Sequence, residues 1–233
     1  MSPLDRKNDL RSINADFQRQ ITAAKDNSSQ PKKVVIDFRN DVTAGLARPI
    51  YQIPIELLRF RKNNGRIASD VLTWESKHGE IEESTDEGQN QLRKFLIKKH
   101  TGEGKTLYDS LKHAGQREPT IITCDGFLIN GNRRKMTMEK LALDNPNDSR
   151  FKFLRAVILP GPGEPGGEPT ILEIEQVENR LQLMKTGKAE YKGFDQALSY
   201  RRKNDIGMSI EEQLRDNPEH YSKTTAQINR EIA

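Results

Sequence analysis

Apolar positions along this chain switch several times between the spacing of a helix and that of a strand. Leu10, Ile13, Phe17 and Ile21 recur every three or four residues in a polar opening, which predicts one amphipathic helix within residues 1–33, followed by a Ser-Ser-Gln-Pro linker. Val34–Phe38 and Ile50–Ile55 read as short strands, and Asn63–Ile67 as a turn. Residues 68–100 are charge-rich and helical, with Val71, Leu72 and Trp74 as packing positions, a loop over Glu82–Gly88 and an amphipathic run Gln91–Lys99. Thr106–Gly115 reads as a helix opened by Thr106 and Asp109 in the manner of a capping box and stopped by Gly115. Beyond it, Asp125-Gly126 separates two apolar runs, the signature of a hairpin with a type I′ turn.

The second half continues the alternation. Residues 132–143 carry good helix formers with Met136, Met138, Leu141 and Leu143 among them. Phe151–Leu159 is strand-like and predicted to run beside the hairpin, and Pro160–Pro169 is a Gly/Pro loop that cannot be helix or central strand. Ile171, Ile174, Val177, Leu181 and Met184 mark an amphipathic helix; on its other side Glu175, Glu178 and Gln182 are one-turn neighbours, and Glu178 by itself reads as a solvated carboxylate. Ser209–Arg215 and Thr224–Ile232 are two short helices; the second runs to the last residues without a closing cap, which predicts a truncated chain.

Composition narrows the class. The 233 residues allow one good-sized domain with extensions or two small ones. Hydrophobic residues make up only 33% and charged residues 31%, which predicts that part of the chain is exposed helix or disorder. A net charge of +4 permits a nucleic-acid or nucleotide partner without requiring one. One cysteine excludes an internal disulfide framework and fits a reducing compartment. No apolar run is long enough for a membrane span and the opening has no signal-peptide core. The expectation is a cytoplasmic protein with no membrane partner.

The most chemically informative stretch is Gly131-Asn132-Arg133-Arg134. It places a glycine at a strand-to-helix junction, where free backbone N–H groups and the helix dipole favour an anion. The two arginines add forked donors suited to phosphate oxygens. A basic helix start on a solvated surface accounts for the same residues. A second phosphate-like motif, Thr101–Thr106, ends in Gly-Lys-Thr but has Lys99 where a P-loop needs its first glycine, and a helix precedes it where a strand is required.

Pro119-x-Ile-Ile-x-x-Asp-Gly-x-x-Ile-x-Gly-Asn-Arg-Arg134 resembles the core of the ParB/sulfiredoxin-like superfamily. The Thr106–Gly115 helix is similar to the helix that precedes that core in the family. Val177-Glu178-Asn179-Arg180 followed by residues 188–200 resembles its Glu-Asn motif. The resemblance covers about residues 48–200 and implies an α+β fold with a small mixed sheet flanked by helices, an N-terminal helix and a C-terminal helical extension. It divides the chain into residues 1–33, a core over 34–170 with a helical insertion at about 68–100, and a helical region over 171–233 that opens a helix-turn-helix. It implies that Arg66, Gly131, Asn132, Arg133, Arg134 and Asn179 bind a nucleoside triphosphate, CTP or ATP. It further implies that Glu178 and Asn179 hold Mg²⁺, with Glu178 the catalytic candidate.

The sequence departs from the family where its Gln-Arg pair falls, which here is Leu181 and Gln182, and Asn132 stands where an acidic residue is common. Sulfiredoxin's own reductase chemistry is not expected, because Cys124 lies ahead of the hairpin turn and not at the helix start. Three functions follow as expectations. The first is a nucleotide-dependent switch for DNA binding or dimer clamping, with a homodimer and a partner protein on the N-terminal helix. The second is a nuclease or NTPase, drawing on Glu175, Glu178 and Asp125. The third is a non-catalytic DNA-binding or regulatory protein.

Overall fold

A computed structural model describes residues 8–27, 31–99, 104–183, 194–216, 220 and 223–232. It contains helix α1 (Ala15–Asp26), strand β1 (Lys33–Val35), α2 (Asp41–Ala44) and β2 (Ala47–Pro54). Next come α3 (Ala68–His78), α4 (Asp86–Lys99), α5 (Gly104–Ala114), β3 (Thr120–Ile122), α6 (Asn132–Asp144) and β4 (Phe153–Ile158). The chain then forms α7 (Ile171–Leu183), α8 (Phe194–Asp205), α9 (Ile210–Arg215) and α10 (Thr225–Ile232). The architecture is α+β: a small mixed sheet in the order β1-β2-β4-β3, flanked by helices. β2 runs antiparallel to β1 and to β4, whereas β3 runs parallel to β4. A parallel pair needs a long crossover, and α6 supplies it.

Both faces of the sheet are covered, and β4 alternates accordingly. Leu154 and Ala156 join the cluster containing Ile53, Phe60, Leu96 and Leu141, while Val157 and Leu159 join Ile36, Phe38, Ile174 and Val177 beneath α7. This double burial explains why Phe151–Leu159 reads as a nearly continuous apolar run. Residues 68–100 pack into this core. Leu92, Phe95 and Leu96 of α4 are among its buried members, and Val71 and Trp74 pack there while Leu72 stays exposed. Gly88 lies inside α4, so the loop ends earlier than the sequence predicts.

The N-terminal helix is shorter than predicted. Asn14 caps it, accepting from the backbone N–H groups of Asp16 and Phe17, so Leu10 and Ile13 precede it. Leu10 instead bridges to Thr170. Ile21 is 2% exposed within the main core, so the apolar face of the helix packs on the chain's own sheet. α5 begins at Gly104, which places Thr106 inside the helix and not at its cap, while Gly115 has a φ of 70° and closes it as expected. Helix α4 precedes α5, so no strand leads into the Gly-Lys-Thr run; residues 101–103 lie outside the described residues.

The hairpin after β3 differs in its turn. Gly126 has a φ of 86° but Asp125 does not enter the positive-φ region. The Gly126 N–H closes on the Thr123 carbonyl at 3.0 Å and the Thr123 N–H reaches the Phe127 carbonyl at 2.9 Å, giving a three-residue loop with a left-handed glycine in place of a type I′ turn. Burial of Asp125 explains this choice. Its carboxylate is fully buried and accepts both from Arg11 Nη1 at 2.8 Å and from the Asn14 backbone N–H at 3.1 Å. Asp125 therefore ties the N-terminal segment to the sheet and is not placed for phosphoryl chemistry. Arg11 and Arg59 stack on the rings of Phe127 and Phe17 beside it.

The Pro160–Pro169 loop is pinned through Lys25–Glu164 at 2.7 Å and through Arg39, whose guanidinium reaches the Glu168 carbonyl at 3.2 Å. No described helix is long and apolar enough to cross a membrane.

A Cβ at residue 126 would sit 2.7 Å from the Leu57 carbonyl oxygen and would hold an unfavourable positive φ. Gly126→Ala is expected to destabilise the fold by roughly 1–3 kcal/mol, read as a lower urea midpoint with unchanged slope.

Candidate anion-binding cleft

The site begins at the junction the sequence singles out. Gly131 has a φ of 93° and caps α6 without a side chain. A Cβ there would collide with the Thr120 side chain of β3, so glycine is required by both backbone conformation and space. No side chain caps α6, and its first residues line a cleft of about 310 Å³. The helix dipole adds a partial positive charge there.

Five segments wall this cleft. The α6 start contributes Gly131 to Arg134, and α5 contributes Leu107, Ser110 and Leu111. The 115–118 loop brings Arg117 and Glu118, and α7 brings Leu181 and Gln182 opposite Arg66. Four arginines thus face the cleft against one glutamate, Glu118. A low-dielectric concavity lined by one sign of charge concentrates counter-ions.

The arginines have different duties. Arg134 reaches the Pro119 carbonyl at 3.2 Å and Glu118 at 3.5 Å, bracing α6 against the loop before β3. Burial pushes its pKa down while Glu118 opposes the shift, and the guanidinium stays charged. Arg66 Nη2 donates to Gln182 Oε1 at 3.2 Å. The 3₁₀ turn that carries Arg66 is capped by the Asn64 side chain, which accepts from the Arg66 N–H at 2.9 Å.

Glu178 and Asn179 do not join this cleft. Glu178 is 1% exposed; its carboxylate accepts from Arg61 and from the Gly65 N–H at 3.3 Å. Asn179 accepts from Lys203 Nζ at 2.9 Å and donates to the Gln213 carbonyl at 3.0 Å and to Asp216 at 2.9 Å. Glu175, also buried, accepts from Arg61 at 3.1 Å and from Arg202. The face of α7 that reads as solvated is covered by α8 and α9, because Arg61, Arg202 and Lys203 arrive there to meet its carboxylates. Burial raises the pKa of Glu175, but the cations Arg202 and Arg61 outweigh it and hold the carboxylate below its ordinary range. Lys203 is pushed down by burial, against the attraction of Glu178 and Glu175.

As placed, the oxygens that the resemblance assigns to Mg²⁺ are occupied by protein cations and N–H groups. Among the described residues no cluster of three or more His, Cys, Asp or Glu side chains could hold a metal ion. Cys124 is buried and its thiol is pushed up to about 12 by burial first and the nearby Asp125 second, so it is not a nucleophile. The 188–193 part of the second motif lies outside the described residues.

The cleft therefore unites five of the sequence candidates, Arg66 and Gly131 to Arg134, and leaves out Glu178 and Asn179. It adds Arg117, Leu107 and Gln182. Only Gln182 had a local signal, its place one turn beyond Glu178 on α7. No protein-family model, curated protein or solved structure matches the chain.

Arg61→Met would remove the cation shared by two buried carboxylates and is expected to cost about 3–5 kcal/mol, measured by urea unfolding at neutral pH. Glu175 should also set an acid limit. With its folded pKa below the ordinary value of 4.5, its contribution is full above that value and is lost as pH falls through the folded pKa. The unfolding free energy of Glu175→Gln should fall less steeply below pH 4.5 than that of the wild type.

Proposed function

We propose that the chain is a ParB/sulfiredoxin-like protein that binds a nucleoside triphosphate and uses it as a switch for DNA association or dimer clamping. The observation that carries this reading is convergence. Three segments far apart in sequence, the Gly131–Arg134 helix start, Arg66 and positions 181–182 of α7, line one cationic cleft. The resemblance implies that the first two bind nucleotide phosphates, and on α7 it assigns Glu178 and Asn179, one turn before positions 181–182.

The chemistry follows from the donors. Uncapped α6 N–H groups and the Arg133 guanidinium would meet phosphate oxygens, with Arg66 and Arg117 closing from the sides. Leu107 and Leu111 offer an apolar wall for a base or sugar. The cleft's 310 Å³ is at the lower end of the range of small-molecule sites. Because Glu178 and Asn179 are engaged elsewhere, Mg²⁺ enters this reading as the ion the triphosphate brings. The reading contains binding and charge neutralisation but no hydrolytic step.

The route from nucleotide to DNA is α7. One side of this helix presents Leu181 and Gln182 to the cleft, and another holds α8 and α9 through Glu175, Glu178 and Asn179. A shift of α7 on nucleotide binding would move the C-terminal helices, which are the DNA-side elements of this reading.

Calorimetry with CTP, ATP and GTP, each with Mg²⁺, is expected to detect binding of at least one. Arg133→Ala and Arg66→Ala should each weaken it about tenfold or more. These are better tests than Arg134→Ala, since Arg134 also braces the fold. Absence of binding by every nucleotide, or full affinity in both variants, overturns the proposal. Gel retardation of plasmid DNA with and without the bound nucleotide then tests the switch.

A further inference from the structure

A second cavity, of about 370 Å³, is lined by α3, α8 and the loop after Arg61 and shares no residue with the anion cleft. Its size falls within the range of small-molecule sites. The Ser69 N–H donates to Asp195 at 3.0 Å and fastens the two helices near their starts. Farther along both, Val71 and Leu72 of α3 and Leu198 of α8 form an apolar wall. Leu72 is 53% exposed there, so more than half of its surface meets no other part of the chain. The loop is held by its own contacts: the Lys62 N–H donates to Glu83 at 2.8 Å, and Arg61 reaches the Asn63 carbonyl at 2.9 Å. An apolar wall left open inside a concavity with braced sides is how small-molecule pockets are built.

The charges around it narrow the ligand. Five charged side chains line the cavity, and three are committed to the protein. Lys62 pairs with Glu80 and lies 3.6 Å from Glu75, and Arg202 donates to Glu175. Arg201 and Asp205, one turn apart on α8, have no hydrogen-bond or ion-pair partner among the described residues and do not pair with each other. Their signs are opposite, so a simple anion or a simple cation would satisfy one and be repelled by the other. A ligand with an ammonium and a carboxylate at one end and an apolar body at the other meets both charges and the apolar wall. We infer that this cavity binds a free α-amino acid with an apolar side chain, its carboxylate on Arg201, its ammonium on Asp205 and its side chain against Val71, Leu72 and Leu198. The site stands independently of the nucleotide reading.

The test is calorimetry with L-phenylalanine, 3-phenylpropanoate, 2-phenylethylamine and glycine on the wild type, Arg201→Gln, Asp205→Asn and Leu72→Ser. All three positions are exposed, so the variants should fold as the wild type does, which circular dichroism checks. The wild type is expected to bind phenylalanine about fivefold more tightly than either analogue, the upper range for an exposed ion pair, and glycine more weakly still. Arg201→Gln should remove the advantage over 2-phenylethylamine, and Asp205→Asn the advantage over 3-phenylpropanoate. Leu72→Ser should weaken phenylalanine and both analogues together. No binding of phenylalanine by the wild type, equal affinity for phenylalanine and its analogues or for glycine, or full affinity in any of the three variants overturns the inference. None of these outcomes bears on the anion cleft.

Discussion

The arrangement of this protein turns on the encounter between Arg61 and the two carboxylates of α7. Arg61, Glu175 and Glu178 are each less than 5% exposed, so none can be left without its partner at acceptable cost. Arg61 follows the end of the sheet region, and its pairing fixes where α7 crosses it. Arg202 and Lys203 then bring α8 onto the same carboxylates and onto Asn179. A buried ionic network of this kind adds little net stability compared with an apolar core of the same shape. Its effect is on geometry, since Arg202 and Lys203 each meet a partner on α7 in this docking of α8.

The cleft inherits its shape from that docking. Arg61 and Arg66 are joined by one short loop, and the Gly65 N–H donates to Glu178. The position of Arg66 opposite α6 is therefore set by the same carboxylate that orients α7. On the other side, Gly131 lets α6 start hard against Thr120 of β3. Two independent constraints, one ionic and one steric, meet across the cleft.

This also accounts for the division of labour on α7. Residues 174 and 177 seal the apolar layer over the sheet, 175, 178 and 179 hold the C-terminal helices, and 181 and 182 reach the cleft. A helix used on three sides has little polar surface to spare, which is why its carboxylates are buried and committed to cations.

Much of the local structure was legible in the residues themselves. Period-3.6 apolar spacing located α4, α6 and α7, the dense apolar run of 151–159 marked β4, and Gly115 and Gly131 marked helix ends, because each of these depends on neighbours within a few positions. The turn at Asp125-Gly126 was misread as type I′, since its form depends on Arg11, more than a hundred residues earlier in the chain. Likewise Leu10 and Ile13 follow helical spacing but lie ahead of the Asn14 cap, and Leu10 bridges to Thr170. The anion-favouring helix start was determined by sequence alone: glycine, uncapped N–H groups and two arginines need no distant partner. Tertiary structure decided the fate of Glu175, Glu178 and Asn179, and it decided that Arg66, Arg117 and Gln182 share a cleft. Helical periodicity can say that a carboxylate lies off the apolar stripe, but only the partners that arrive from elsewhere in the chain determine whether that side meets water or a buried cation.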